Sequence, residues 1–486
     1  MRQAFSAQQR FDAPAIRDIP LNFECRDEIV PLLAALQHVY SQPTLRSQIL
    51  DLIEADVNQH TRADVGREGF PYWQILVLGA VRLGCNLDYD KLQDLAENHL
   101  KLRAMMQLGP WDESTSFHWQ RIRDNICLLR AETIDAISHR TVAAGHALVP
   151  EAARTTRADS TVVETMIHYP TESTLIRDGV RKIIELCLPL TEAAGLSGWR
   201  QHAHLYKHVK RVSREIDRIA ARKGKDYHKR LKAAYTKLLK HSERIIEGAR
   251  ELLCELRWPP AVRSDIYEKD SLQAFIARTV RVQDTARRRV LKGETVPHED
   301  KLFSIFEPHT QLYKRGKAGQ PVQFGRLAMF YEDGAGFITH HYVLSRFETD
   351  SDVVVEQTRI VQERLEDRIK RASFDRGFHT PSNQVELSRL VPHVCLPKPG
   401  AKQSTEQEAQ AGPEYFAGVQ SHPGVESTIG SLQSGNGLKR CRDRTEVGFE
   451  RYVSLAVLGR NLHTLGRMLI RLSSPHSEAA RSQRAA

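Results

Sequence analysis

Between residues 21 and 149 apolar side chains recur every three or four positions, the period of a helix with one buried face. FPYWQILVLGAVRLG (70–84) is apolar almost all round and predicts a helix buried on every side, while DYDKLQDLAENHLKLRAMM (88–106) repeats Leu at helical spacing. WDESTSFHWQRIRDNICLLR (111–130) offers Ser114 to Ser116 as N-caps for a helix with Arg121 and Arg123 on its polar side. That pattern suits a DNA-reading helix or an amphipathic helix whose arginines face water. Near Pro150 the period changes. TTRADSTVVETMIHYP (155–170) sets β-branched residues around one aspartate and predicts a strand and the start of a new domain.

Residues 175–297 return to long helices, with Leu and Ile three and four apart and Lys, Arg and His between them. The pattern predicts a helical hairpin or bundle with a basic outer face, inserted into the domain. PVQFGRLAMFYEDGAGFITHHYVL (321–344) then predicts two strands joined by an Asp-Gly turn. Val354, Thr358, Val361 and Leu365 mark an amphipathic helix, RASFDRGF (371–378) a short strand ending at Asp375, and PSNQVELSRL (381–390) a helix opened by Pro381. VPHVCLPKPG (391–400) predicts a further strand, and residues 401–418 a polar, mobile linker. HPGVESTIGSLQ (422–433) predicts a helix with His422 as cap and Pro423 first, and residues 448–472 a longer helix with an apolar stripe. Residues 1–20 and 471–486 predict flexible ends. The resulting plan is a helical domain over 21–150 and an α/β domain over 151–470 interrupted by the insertion.

The chain has 486 residues, 41% hydrophobic and 27% charged, and no apolar run reaches the roughly 18 residues of a membrane span. The first residues lack the apolar core of a secretory signal, so the expected place is the cytoplasm. Seven scattered cysteines with no C-x-x-C fit reduced thiols rather than a zinc site. A net charge of +10 points to a polyanionic partner such as nucleic acid, although a basic balance also serves solubility.

Two aspartates, Asp159 and Asp375, fall at predicted strand ends, and Glu426 falls in the first turn of a predicted helix. Their neighbours are small or polar: ADST, FDRG, VEST. Carboxylates gathered in space repel unless cations separate them, and Mg²⁺ prefers carboxylate oxygens; two such ions can serve phosphodiester cleavage or transfer. Taken singly, an aspartate before Arg-Gly also reads as a turn residue.

Together, RADSTVVETMIHYPTE, KLFSIFEPHTQLYKRGKAG, ASFDRGFHTPSN, CLPKPG and HPGVESTIGSLQSGNGLKRCRDR resemble the DDE transposases of bacterial insertion sequences, in particular the group catalogued as not yet classified. The resemblance implies an α/β ribonuclease-H-like core, a mixed five-stranded sheet with helices, beside an all-α N-terminal domain and an all-α insertion. It implies Asp159, Asp375 and Glu426 as a metal-binding triad for two Mg²⁺ ions, with Mn²⁺ as a substitute, and a reaction that cuts element ends with water and joins the 3′-hydroxyl to target DNA. Implied partners are terminal inverted repeats, target DNA and a second copy of the chain, in a cytoplasmic, nucleoid-associated setting without a membrane. The early insertion departs from better-known relatives, and Gln433 stands seven residues after Glu426 where a large related group has lysine. Candidates for phosphate positioning are His422, which also reads as a plain cap, Lys398, Arg376, Lys439 and Arg440, with Lys314, Arg315 and Lys317 as a basic loop that tracks DNA or is simply solvated, and Arg121 and Arg123 on the N-terminal helices. Two alternatives stand beside this reading: a nuclease of the same fold that cuts without joining, and a non-catalytic DNA-binding protein.

Overall fold

A computed structural model describes residues 3–5, 11–60, 69–256, 263–314, 322–400 and 412–473. The chain divides into two compact units, Met1–Met166 with Arg326–Ala486, and Ile167–Gly325. Among the described residues no helix is long and apolar enough to cross a membrane.

The first unit begins with α1 (Ile29–Ser41), α2 (Pro43–His60), α3 (Tyr72–Gly84), α4 (Tyr89–Asn98), α5 (Leu100–Met105), α6 (Trp119–Ile126) and α7 (Ala131–Leu148). α3 is buried on nearly all its faces, as its sequence predicts. Two local readings are corrected. His99 breaks the Leu-rich run by capping α5, its Nδ1 accepting the Leu102 amide at 3.0 Å. The cap of α6 is His118, whose Nδ1 accepts the Gln120 amide, rather than a residue of Ser114 to Ser116. The segment expected to be a flexible N-terminus docks in part: Ile16 and Ile19 are buried, and the Gln37 amide donates to the Ile16 carbonyl at 2.9 Å.

The sheet starts with β1 (Thr155–Thr165) and continues with β3 (Val322–Asp333) and β4 (Ile338–Val343), an antiparallel hairpin shifted in register at Tyr331/Glu332. After α12 (Asp350–Arg364) come β5 (Arg371–Phe374), α13 (Pro381–Leu390) and β6 (His393–Cys395). The sheet has seven strands among the described residues rather than the expected five: with β2 (Gln311–Lys314) the hydrogen-bonded path is β2-β3-β1-β5-β6, β4 also pairs with β3, a short seventh strand pairs with β1, and β1, β5 and β6 are mutually parallel. The expected linker holds a helix, α14 (Pro413–Ser421), whose first position is a proline that needs no amide donor; residues 401–411 lie outside the described residues. α15 (Pro423–Gly435), β7 (Arg440–Cys441), parallel to β1, and α16 (Glu446–Ser473) complete the unit. The chain from 474 on lies outside the described residues.

The helices of 21–150 do not form a core of their own. Leu36, Trp73, Val77, Phe117 and Ile134 share one apolar cluster with Val163, Phe330, Phe337, Val425, Tyr452 and Leu462. α3 and α16 meet where both lack a side chain: a Cβ on Gly459 would stand 2.7 Å from the Gly84 amide.

The second unit reaches beyond the expected 175–297. It holds α8 (Glu172–Ala193), α9 (His202–Arg222), α10 (Tyr227–Glu255) and α11 (Arg263–Ala286), the last passing into a π-helical turn at Arg287–Lys292. β2 (Gln311–Lys314) pairs antiparallel with Val322 to Gly325. Ile176, Ile183, Val212, Ile216, Leu238 and Ile245 meet in its core, while Lys207, Lys210, Arg214, Arg218, Lys232, Lys237 and Lys240 are exposed on α9 and α10.

Candidate active site

β1 and β5 run side by side in register, Thr155 opposite Arg371 through Ala158 opposite Phe374. Asp159 and Asp375 are each the next residue. They therefore stand side by side about 4.8 Å apart and on the same face, Asp375 just past the end of β5 but Asp159 in the interior of β1, which runs on to Thr165, and not at the strand end its sequence predicts. Asp159 is half-buried and Asp375 exposed. Each aspartate turns Oδ1 onto the next amide at 2.7 Å, Ser160 and Arg376 respectively. The turn after Asp375 is pinned from beneath: Phe378 packs on Phe374, and the Asn383 side-chain amide donates to the carbonyls of Phe378 at 3.0 Å and Ser351 at 2.8 Å.

That face of β1 also presents Arg157 and Thr161, two residues to either side of Asp159. α15 lies across it. Just before it, Arg157 Nη1 donates to the carbonyl of Ser421, the last residue of α14, at 2.9 Å; near its end Gln433 Nε2 donates to Thr161 Oγ1 at 2.9 Å. Five residues of helix from Ser421 to Glu426 advance about 7.5 Å, and two residues of strand from Arg157 to Asp159 about 6.6 Å. The two contacts thus bracket Glu426 and set it at the level of the aspartates. His422 and Glu426 share one side of the helix, one turn apart. His422 occupies the N-cap position without capping; its Nδ1 instead faces Ser373 Oγ at 3.3 Å, two residues before Asp375 on the same face of β5. Burial holds the His422 imidazole below its usual range, opposed by the charges of Asp375 and Glu426, so it lies within electrostatic reach of both carboxylates.

Among the described residues no three His, Cys, Asp or Glu side chains already stand as a metal cluster. Bare carboxylates on neighbouring strands repel, and each aspartate here bonds its own backbone. As donors, carboxylates such as these suit a hard divalent cation. Among the described residues neither Asp375 nor Glu426 forms an ion pair that would compete for it.

Comparison with protein-family models, with curated proteins and with solved structures finds no match.

The proposed positioning residues divide. Arg376 follows Asp375 directly and is exposed, and Lys398 lies three residues beyond Cys395, which is opposite Ser373, so both belong to the end of β5 and β6 nearest Asp375. Lys439 and Arg440 do not. Arg440 is opposite Glu164, five residues or about 16 Å further along β1, and binds Glu164 Oε2 at 3.0 Å. Glu164 takes the face opposite Asp159, as the alternation of the strand predicts. Arg121 and Arg123 are exposed on α6, Arg121 over the Phe70 ring at 4.4 Å and Arg123 paired with Asp124 at 2.8 Å. Lys314 is exposed at the end of β2 in the second unit, and Arg315 and Lys317 lie outside the described residues.

Arg157, Glu332 and Thr428 escaped the sequence reading. Only the two-residue spacing of Arg157 from Asp159 hints at a shared face; the acid that Arg157 meets, Glu332, is 175 positions away.

Proposed function

We propose that the protein is a DDE-type DNA transposase with a ribonuclease-H-like core, in which Asp159, Asp375 and Glu426 form the metal-binding triad. The observation that carries this reading is the register: two aspartates adjacent on parallel strands, with the segment bearing Glu426 tied to β1 at Ser421 before it and at Gln433 after it. The strand order β4-β3-β1-β5-β6, a hairpin followed by parallel strands, supports the core that the motifs imply. Magnesium bound by the three carboxylates would supply charge neutralisation and activation of an oxygen nucleophile at a phosphodiester. The chain's own groups do the rest. His422, Arg376 and Lys398 are the groups that would meet a scissile phosphate in this reading, and the exposed cations of α9 and α10 suit a DNA backbone. No side chain need become covalently attached to DNA.

The test uses DNA carrying the sequences that flank the gene, with Mg²⁺ and either intact or pre-cut ends. The expected results are 3′-end cleavage and joining of a pre-cut 3′-hydroxyl to a second duplex, both lost in Asp375→Ala while DNA binding persists. Cutting without joining would make the protein a nuclease of the same core. Full activity in Asp375→Ala would remove the triad.

A further inference from the structure

Glu426 is exposed and, among the described residues, no ion pair holds its side chain, so its place depends on how firmly the first turns of α15 are held. Three side chains beneath that segment do the holding. Glu332, on β3 and 1% exposed, accepts from Arg157 Nε through Oε2 at 2.7 Å and from Thr428 Oγ1 through Oε1 at 2.6 Å. Arg157 extends the chain of contacts, its Nη1 donating to the Ser421 carbonyl at 2.9 Å. One buried ion pair therefore grips the helical segment five residues before Glu426 and two residues after it.

The sequence around Glu426 fits that grip. Pro423 brings no amide to the junction of α14 and α15, so a helical carbonyl there lacks its usual donor, and the guanidinium satisfies a carbonyl of the same turn. Gly424 leaves the room: a Cβ at that position would overlap the Arg157 guanidinium. Both carboxylate oxygens of Glu332 are committed, so it is support beneath the site and not a fourth ligand.

We propose that the Arg157–Glu332 pair, with Thr428 and the bare face of Gly424, is the positioning device that holds Glu426 over Asp159 and Asp375 and so sets the divalent-cation affinity of the site. The proposal rests on the triad reading above. A purely stabilising ion pair would not require both flanks of Glu426 to be tied to it, and buried pairs often add little net stability. Groups that orient ligands from behind characteristically change metal affinity by about 10- to 100-fold when removed.

The test reads Mn²⁺ binding to the full-length protein without DNA, from the electron paramagnetic resonance signal of unbound Mn²⁺. Wild type is expected to bind Mn²⁺, and Asp375→Asn to lose most of that binding. Thr428→Val keeps the side-chain shape but removes the donor, and is expected to weaken binding about tenfold with the melting temperature little changed. Thr428→Ser, which restores the hydroxyl, should recover it. Arg157→Met should weaken binding at least as much, with Arg157→Lys in between because an ammonium cannot serve Glu332 and Ser421 in the same fork geometry. If Asp375→Asn loses Mn²⁺ but Thr428→Val and Arg157→Met bind as wild type does, the positioning role is overturned and the triad stands. If wild type and Asp375→Asn bind alike, the triad falls and the positioning role with it.

Discussion

Two regions of the first unit carry acidic side chains in opposite circumstances. Around the helical core Asp443, Asp56 and Asp135 each meet a cation. Asp443 takes two bonds from Arg82, at 3.0 and 2.5 Å, with Arg82 1% exposed and lying over the Tyr89 ring. Asp56, fully buried, binds Arg130 at 2.7 Å, and Asp135 binds Arg364. Just past β5, Asp375 and, on α15, Glu426 stand exposed and, among the described residues, in no ion pair, with the His422 imidazole within electrostatic reach of both. A charge taken out of water without a partner costs several kcal/mol, so the core acids arrive matched. The open acids are hydrated, cost the fold little, and keep their oxygens for a ligand. Where an acid is left unmatched beside another acid, the fold is not what it serves.

The sharpest break of this comparison comes from one substitution on each side. Asp375→Asn is expected to lower Mg²⁺-dependent DNA cleavage at least about a hundredfold, while leaving stability within about 0.5 kcal/mol. Arg82→Ala, which strands Asp443, is expected to cost about 3–5 kcal/mol in urea denaturation. Equal stability losses at both positions would erase the distinction between them.

Next in size is a pH effect confined to the core. Burial pushes the His463 imidazole down to about 4, with its Nε2 on the Glu28 carbonyl. Folded His463 resists a proton that the unfolded chain accepts near 6.5. Its contribution is therefore complete above about pH 6.5 and is lost as pH falls from there toward about 4, by up to about 3 kcal/mol. His463→Gln keeps a donor but cannot titrate, so its denaturation midpoint should fall less over that range. An unchanged slope would show that His463 is not the group responsible.

The smallest effect belongs to the surface. Arg440 is 57% exposed, and its pair with Glu164 should add no more than about 1 kcal/mol, so Arg440→Ala should leave the urea midpoint nearly in place. Its distance from the aspartates predicts unchanged Mg²⁺ dependence of cleavage. A shift in that dependence would extend the active site to the far end of β1.

The candidate acids Asp159, Asp375 and Glu426 were legible in advance from the period of the strands and helix around them, although Asp159 lies inside β1 and not at its end. The support beneath them was not. Arg157 reads as one more basic residue in a basic chain, Glu332 as part of a turn, and Thr428 as a helical filler, until the register of β1 and the course of α15 bring them together.

What the chain determines by itself are the features that act within a few residues: the buried α3, the β3–β4 hairpin, the prolines that open α13 and α15, and the alternation that sends Asp159 and Glu164 to opposite faces. Interactions at two, three and four residues decide these, and neighbouring letters reveal them. Tertiary structure alone decided which acids are matched and which stay open. Arg82 and Asp443 are 361 positions apart, and nothing near either one names its partner. Likewise only packing joined the N-terminal helices to α16 in one core and drew Ile16 and Ile19 into it. Pairing across such distances follows from strand register and helix packing, which emerge when the whole apolar surface is buried at once and are written in no single stretch of the chain.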